Sequence, residues 1–143
     1  MPKPDSTLLD PARYPFITNV DVRFGDIDVN KHVNNVSLAG FIEEGRVRFH
    51  RESGFHGAVK GLGAMVASIA TEFVGQAYYP GSLTIHAGAL ALGRTSYQLD
   101  LLIEQDGRAV VFARSVMVTM IDGKPCPLPD AFRESAKAWM VRP

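Results

Sequence analysis

The sequence is poor in the features that mark secreted, membrane-bound or nucleic-acid-binding proteins. Its 143 residues include one cysteine, Cys126, so neither an internal disulfide nor a cysteine metal site can form. Fifteen basic and fifteen acidic residues cancel, so no net charge attracts nucleic acid or an anionic membrane. No stretch approaches the roughly 20 apolar residues of a membrane-spanning helix, and residues 1–14 lack the pattern of a signal peptide. We therefore expect a cytoplasmic protein.

The amino-acid composition is typical of a single globular domain. Apolar residues make up 46% and charged residues 21% of the chain, and no internal repeat is found. Residues 1–15 contain four prolines, which predicts an arm that lies on the surface or is disordered. Residues 16–143 then form the single domain.

One long helix is predicted in the middle of the chain. From Asn35 to Ser53, apolar or small residues recur at helical spacing, and these are Leu38, Phe41, Ile42, Gly45 and Phe49. Asn34 or Asn35 is a suitable N-cap, and Gly54 is suited to ending the helix.

The remaining segments are predicted to be strands. The alternation of Val20, Val22 and Phe24 predicts a first strand before the helix. Four more strands are expected after it, at 65–74, 83–92, 97–103 and 109–120, with Asp106-Gly107 as a hairpin turn. Residues 130–140 are predicted to form a terminal helix. The fold class is therefore α+β, with an antiparallel meander of strands covering the central helix.

The segment between the first strand and the helix carries the chemistry. It brings two carboxylates, Asp26 and Asp28, and the imidazole of His32 close to the free backbone N–H groups of the first helical turn. Those N–H groups are partly positive and suit an oxyanion, so a neighbouring carboxylate predicts acyl transfer. The same residues also fit an ordinary helix cap and turn.

Two competing interpretations of the sequence, a calcium-binding loop and a nucleophilic cysteine or serine, have less support. Asp26, Asp28 and Asn30 match the opening of a calcium-binding loop, but Lys31 and Ser37 occupy the positions of its glycine and glutamate. Nucleophilic catalysis by Cys126 or a serine lacks the Gly-x-Ser-x-Gly motif. We therefore predict no metal site.

Three motifs in this part of the chain are Asp26-Ile27-Asp28, His32-Val33-Asn34-Asn35 and Glu43-Glu44-Gly45-Arg46. With them the sequence resembles the 4-hydroxybenzoyl-CoA thioesterase-like branch of the hotdog superfamily. Tyr79-Pro80-Gly81, the corner Gly93-Arg94-Thr95-Ser96 and the segment from Gly123 to Pro129 also resemble the family. The resemblance covers about residues 16–135 and implies a hotdog fold, in which a curved antiparallel sheet of about five strands wraps a long helix.

The resemblance also implies an acyl-CoA thioesterase that uses no metal or other cofactor. In the family's arrangement, Asp28 is the catalytic base or nucleophile and the backbone N–H of Asn35 polarises the thioester carbonyl. Asp26 is then a structural partner, while His32 contacts the substrate or ties the loop together. Coenzyme A phosphates meet the corner formed by Arg94, Thr95 and Ser96. Two chains pair edge to edge with the sites at the interface, giving a homodimer or homotetramer.

The sequence departs from the family pattern at the expected acyl pocket. Leu38 stands where relatives commonly carry tyrosine, and the small residues Ala39 and Gly40 follow it. An aromatic acyl group is therefore not implied. Two other functions remain open, namely a noncatalytic protein that binds acyl-CoA or acyl carrier and a hotdog enoyl-CoA hydratase or dehydratase.

Overall fold

The computed structural model describes residues 4–54, 57 and 59–143. Its main elements are β1 (Phe16–Asp21), α1 (Asn35–Ser53), β2 (Gly63–Phe73), β3 (Ser82–Leu90), β4 (Ser96–Gln105), β5 (Arg108–Ile121), the two-residue β6 (Lys124–Pro125) and α2 (Asp130–Ala136). The predicted α+β class is confirmed, with one long helix and a half-barrel antiparallel sheet of five main strands. Part of the glycine-rich loop after α1 lies outside the described residues.

Helix α1 has the predicted bounds. The Asn34 side chain caps it by accepting a hydrogen bond of 2.7 Å from the Ser37 N–H, and Gly54 ends it in the left-handed conformation with φ of 68°. The predicted apolar stripe is buried against the sheet. At Gly45 the helix approaches closely, because a Cβ atom there would lie 2.7 Å from a methyl carbon of Ile85.

The sheet has the order β1-β3-β4-β5-β2, and every neighbouring pair is antiparallel. Strands β3, β4 and β5 form the predicted meander, and Asp106 and Gly107 turn the β4–β5 hairpin with positive φ angles of 52° and 76°. The meander prediction is wrong for β2, which pairs with β5 and forms an edge of the sheet.

The connector at residues 74–81 explains the position of β2. The connector starts at the end of β2, which lies beside β5. It then passes the ends of β5 and β4 and reaches β3. The Val74 N–H donates to the Val110 carbonyl at 2.8 Å, and Gly75 follows where the Ala109 carbonyl leaves no room for a Cβ atom. The buried Gln105 amide then holds both the N–H and the carbonyl of Tyr78, at 2.8 and 2.9 Å.

Strand β1 ends earlier than its alternation predicted. It ends at Asp21, Val22 is buried just beyond it, and Phe24 lies in a 3₁₀ turn with 72% of its surface exposed. The Val22 N–H still bonds to the Gly81 carbonyl next to β3, at 2.8 Å, and the chain then enters the 3₁₀ turn.

Pro15 and Val141, from the two ends of the chain, both lie beside Gly88 of β3, while Trp139 packs against Phe49 of α1. Residues 4–15 contain two 3₁₀ turns, and Tyr14 is buried with its hydroxyl donating to the Leu8 carbonyl at 2.6 Å. The predicted terminal helix is shorter, because α2 ends at Ala136 and a 3₁₀ turn follows. Val141 then donates its N–H to the Ala89 carbonyl at 2.8 Å, which requires extended backbone there.

Candidate active site

The loop between β1 and α1 is fastened to the connector and to itself. The Val33 N–H donates to the Ala77 carbonyl at 2.8 Å, and the Asn34 N–H donates to the Asp26 carbonyl at 2.9 Å. Since the connector is in turn held by Gln105, the loop has a defined position at the end of the sheet where β1 ends and β3 begins.

Asp28 lies at the centre of this loop and is half-buried. Its Oδ1 atom accepts hydrogen bonds from the backbone N–H groups of Asn30 and His32, at 2.8 and 3.3 Å. The turn is closed by the Lys31 N–H, which donates to the Asp28 carbonyl at 3.0 Å. No group in the described part of the chain bonds to Oδ2. One carboxylate oxygen therefore orders the turn, and the other is available for chemistry.

Asp26 is in a different environment. It is only 1% exposed, and its carboxylate accepts from the Arg23 N–H at 2.8 Å and from the Arg23 guanidinium at 2.9 Å. The hydrogen bond from the Arg23 side chain holds the pKa of Asp26 below its ordinary value, and burial opposes this effect. Both of its oxygens are thus engaged in holding the loop together.

The first turn of α1 offers free donors beside the loop. The N–H groups of Ser37 and Leu38 bond to the side chain and carbonyl of Asn34, at 2.7 and 3.0 Å. Those of Asn35 and Val36 have no acceptor among the residues that the structure describes. The backbone N–H predicted as an oxyanion donor, that of Asn35, is therefore unbonded at the positive end of a 19-residue helix.

His32 lies against the connector. Its ring meets the Tyr78 ring edge to face, with centroids 5.2 Å apart, and its carbonyl accepts from the Asp28 N–H at 2.9 Å. These contacts tie the loop to the connector, which is one of the two roles predicted for His32.

Sequence reasoning missed the aromatic residues around the loop. Phe24 and Tyr79 meet edge to face with centroids 5.9 Å apart, and the Arg108 guanidinium lies 5.9 Å from the centre of the Tyr78 ring. Both tyrosines are more than 40% exposed. Their proximity to the loop depends on the path of the connector, and the available signal was the Tyr79-Pro80-Gly81 motif.

A cavity of about 370 Å³ opens beside the start of α1. Its wall is formed by one side of the helix and the end of β1, namely Val20, Asp21, Arg23, Val36, Ser37, Gly40, Phe41 and Glu44. Gly40 leaves open space where a side chain would lie, since nothing comes within 4 Å of a Cβ atom built there. The cavity volume falls in the range of small-molecule pockets.

Leu38 is not in this wall. It is 3% exposed and packs in the hydrophobic core between helix and sheet, because it faces the sheet while Ser37 and Gly40 face the cavity. The substrate contact predicted for Leu38 is thus at a position where the structure shows core packing.

Arg94, Thr95 and Ser96 lie far from Asp28 within one chain. Asp21 pairs with Ser82 at one end of β3, and the corner follows Leu90 at the other end, eight residues later. At about 3.3 Å per residue, the two ends are roughly 26 Å apart. The Arg94 side chain is exposed and has no partner among the described residues, whereas the Thr95 carbonyl accepts from the Thr119 N–H at 3.0 Å.

Among the described residues, no group of three or more His, Cys, Asp or Glu side chains is arranged to hold a metal ion. No helix in the same part of the chain is long and apolar enough to cross a membrane.

Comparison with solved structures identifies similar folds. A thioesterase from Thermus thermophilus, complexed with coenzyme A and Zn, has a TM-score of 0.78 at 27% identity, covering 92% of this chain and 98% of that one. A predicted thioesterase from Bacillus stearothermophilus has a TM-score of 0.78 at 26% identity, with coverages of 90% and 98%. A gentisyl-coenzyme A thioesterase at 20% identity, with a TM-score of 0.72 and coverages of 85% and 98%, shares the fold.

Sequence comparison gives the family. No curated protein matches the chain. The family model described as the thioesterase-like superfamily matches residues 22–136, which include the Asp28 loop, α1 and all strands from β2 to β6. The expected hotdog fold is therefore confirmed, and the chain belongs to the thioesterase-like superfamily.

Proposed function

We propose that the protein hydrolyses an acyl-CoA thioester to the free acid and coenzyme A, with Asp28 as the catalytic carboxylate. The observation that carries this proposal is that one fastened segment contains two unbonded groups suited to acyl transfer. The Oδ2 atom of Asp28 and the backbone N–H of Asn35 are both without partners in the described structure, seven residues apart at the start of α1.

The reaction follows from these two groups. Asp28 either removes a proton from a water molecule that attacks the thioester carbon, or attacks that carbon itself and is released by water. In both routes the carbonyl oxygen becomes negative and accepts a hydrogen bond from the Asn35 N–H. The carbon–sulfur bond then breaks, which in the second route precedes the release of Asp28 by water. In both routes the attacking water supplies the proton with which the sulfur becomes the coenzyme A thiol. The proposed route requires no metal or other cofactor.

The edge strand β2 supports pairing of two chains. It is 11 residues long, and the outer side of its backbone has no neighbouring strand in the described chain. Ile69 and Phe73, on the face shared with α1, are 46% and 49% exposed, and Val47 of α1 is 44% exposed. A long edge with apolar side chains is a template for pairing with another strand. We infer a homodimer in which β2 pairs with its copy.

Such pairing would also bring Asp28 of one chain near Arg94 of its partner, although the two residues are far apart within one chain. Antiparallel pairing about a two-fold axis places opposite ends of the two sheets side by side. The Asp28 end of one chain then adjoins the Arg94 end of its partner. In this arrangement the Arg94 corner serves the partner's site, where its unpaired guanidinium suits the phosphates of coenzyme A.

The acyl group fits the cavity beside the start of α1. Ser37 and Gly40 leave it open, and its wall combines Val20, Val36 and Phe41 with a few polar groups.

A thiol-release assay over short, long, branched and aromatic acyl-CoAs tests the function. We expect release of free thiol at rates that depend on the acyl chain. An enoyl-CoA separates hydration from hydrolysis, because hydration lowers the enoyl absorbance without releasing thiol. Tight binding of acyl-CoA without thiol release from any substrate would contradict hydrolysis and indicate a noncatalytic binding protein.

A further inference from the structure

The side chain of Gln105 joins the end of β4 to the connector. Gln105 is the last residue of β4 and is 3% exposed. Its Oε1 atom accepts a hydrogen bond from the Tyr78 N–H at 2.8 Å, and its Nε2 atom donates to the Tyr78 carbonyl at 2.9 Å. Two residues of paired antiparallel strands exchange the same two bonds. The side-chain amide therefore holds the Tyr78 backbone as a neighbouring strand would.

Tyr78 is the part of the connector that faces the Asp28 loop. It forms an isolated antiparallel bridge with His32, and the two rings have centroids 5.2 Å apart. Ala77, just before it, is fully buried, and its carbonyl accepts from the Val33 N–H at 2.8 Å. Val33 is itself only 2% exposed. The position of Tyr78 therefore determines the positions of residues 32 and 33 of the loop.

Residues 32 and 33 in turn position the two proposed reacting groups. The His32 N–H donates to Asp28 Oδ1 at 3.3 Å, and the His32 carbonyl accepts from the Asp28 N–H at 2.9 Å. Val33 lies two residues before Asn35, whose N–H is the proposed oxyanion donor. Fixing this short segment fixes the carboxylate and the donor relative to each other.

Gly81 leaves the space that the Gln105 amide occupies. A Cβ atom at position 81 would lie 2.7 Å from Gln105 Nε2, which is closer than packed atoms come. Any side chain there would push the amide away from the Tyr78 carbonyl. The glycine in the Tyr79-Pro80-Gly81 motif thus has a physical reason that depends on Gln105.

A second side chain on the connector makes weaker contacts. The Arg108 guanidinium lies 5.9 Å from the centre of the Tyr78 ring and donates to the Gln76 carbonyl at 3.4 Å. Both contacts are exposed to water, where such interactions contribute little. The enclosed hydrogen bonds of Gln105 therefore hold the Tyr78 backbone more firmly than Arg108 does.

We propose that Gln105 is a positioning residue, which sets the separation of the Asp28 carboxylate and the Asn35 N–H through the backbone of Tyr78. Gln105 bonds to neither reacting group. Its effect on turnover rests on the proposed hydrolysis, whereas its hold on the loop does not. A displacement of about 1 Å between reacting groups can lower a rate about 100-fold. A small shift of the connector should therefore lower kcat and leave KM nearly unchanged.

The variant Gln105→Met tests this division between kcat and KM. Methionine has a similar length and volume but forms neither hydrogen bond with Tyr78. In the thiol-release assay we expect kcat to fall about tenfold or more and KM to change less than about twofold. Gln98→Met on the opposite face of β4 is the matched control and should change neither constant. An unchanged kcat in folded Gln105→Met would overturn the proposal.

The conservative variant Gln105→Glu adds a readout that a loss of stability alone would not give. Its carboxylate can accept from the Tyr78 N–H, but only a protonated carboxyl can donate to the Tyr78 carbonyl. Burial raises the pKa of a carboxyl at this position. The ratio of kcat in Gln105→Glu to kcat in wild type should therefore rise as the pH falls from about 8 to about 5. A ratio that stays constant or falls would overturn the role of the donated hydrogen bond.

Amide hydrogen exchange tests the hold on the loop without relying on hydrolysis. In Gln105→Met the Val33 N–H should exchange about tenfold or more faster, whereas the Ile85 N–H in the centre of β3 should keep its rate. Unchanged exchange of Val33 would overturn the proposal. If wild type hydrolyses no acyl-CoA, the proposed function is refuted, and Val33 exchange still decides whether Gln105 holds the loop.

Folding of the variants is checked by circular dichroism and thermal unfolding. If Gln105→Met does not fold, Gly81→Ala is the second variant, because its methyl group displaces the Gln105 amide from the other side. We expect Gly81→Ala to lower kcat and to speed the exchange of Val33 in the same manner. Wild-type values of both quantities in folded Gly81→Ala would contradict the proposal.

Discussion

The two ends of helix α1 carry opposite charges with the same pattern of pairing. At the N-terminal end, Asp26 is buried and paired with Arg23, whereas Asp28 keeps one oxygen unbonded. In the C-terminal half, Arg48 is paired with Glu44, whereas the Nη1 atom of the buried Arg46 has no hydrogen-bond acceptor among the described residues. Acidic groups near a helix N-terminus and basic groups near its C-terminus are favourable for stability alone. The state of pairing, more than the sign of the charge, therefore separates residues with a structural role from candidates for function.

The sharpest test of this comparison is Asp28→Asn. The variant keeps the Oδ1 acceptor that orders the turn and loses the carboxylate, so we expect kcat to fall about 100-fold or more with little change in melting temperature. Thiol release and thermal unfolding measure the two effects. Near-normal hydrolysis by Asp28→Asn would show that the unbonded oxygen has no role in the reaction.

Asp26→Asn should have the reverse effect. Loss of the charged hydrogen bonds with Arg23 should lower the free energy of unfolding by about 2 kcal/mol at neutral pH. Because pairing lowers the pKa of Asp26 from 3.8, its contribution is complete above about pH 5 and is lost as the pH falls through the lower folded pKa.

Denaturant unfolding from pH 7 down to pH 2 measures this contribution. The difference between wild type and Asp26→Asn should shrink below about pH 4. If Asp26→Asn loses as much turnover as Asp28→Asn and keeps its stability, Asp26 is the catalytic carboxylate and Asp28 has the structural role.

A third test compares the two edges of the sheet. Ile69→Lys on β2 should weaken self-association about tenfold or more, because a two-fold axis brings the two charges into one apolar interface. Ile17→Lys on β1 is the matched control, since Ile17 is 60% exposed on the opposite edge. Sedimentation velocity over a range of concentrations gives the association state. If Ile17→Lys abolishes the dimer and Ile69→Lys does not, the interface lies at β1, and the proposed pairing through β2 is contradicted.

The smallest expected effect is that of Arg94→Gln. Removal of one exposed cation at the phosphate corner should raise KM for acyl-CoA a few-fold and leave kcat nearly unchanged. Lys137→Gln, which breaks an exposed salt bridge with Glu134, is the control and should change neither constant. If Arg94→Gln instead lowers kcat at unchanged KM, Arg94 acts on the reaction and not on coenzyme A binding.

The local features of the fold were predictable from sequence. The bounds of α1, its end at Gly54 and the hairpin turn at Asp106-Gly107 depend on neighbouring residues, whose spacing and backbone preferences are visible in the chain. The approximate positions of the later strands followed from the same kind of signal.

The nonlocal features were not predictable from sequence. The pairing of β2 with β5 depends on the connector, which is anchored by Gln105 and Gly75, and neither residue type carries a signal for such a contact. Alternation alone likewise extended β1 to Phe24, although residues Phe24–Asp26 form a 3₁₀ turn in which Asp26 bonds to Arg23.

The candidate site was predictable only in part. The Asp28 loop and the start of α1 are adjacent in sequence, so their proximity followed directly. The orientation of Leu38 towards the core, the distance from Asp28 to Arg94 and the unpaired state of Arg46 depend on packing between elements remote in sequence. Spacing along one helix does not determine which of its charged side chains finds a partner.

The anchoring of the connector by Gln105 has a practical consequence for protein engineering. The tip of the β4–β5 hairpin is a short exposed turn, the kind of place usually chosen for inserting a tag, a fluorophore or a guest domain. Here the residue before that tip holds the Tyr78 backbone, and the connector in turn fastens the Asp28 loop. We therefore expect an insertion at the tip to disturb the position of the Asp28 loop.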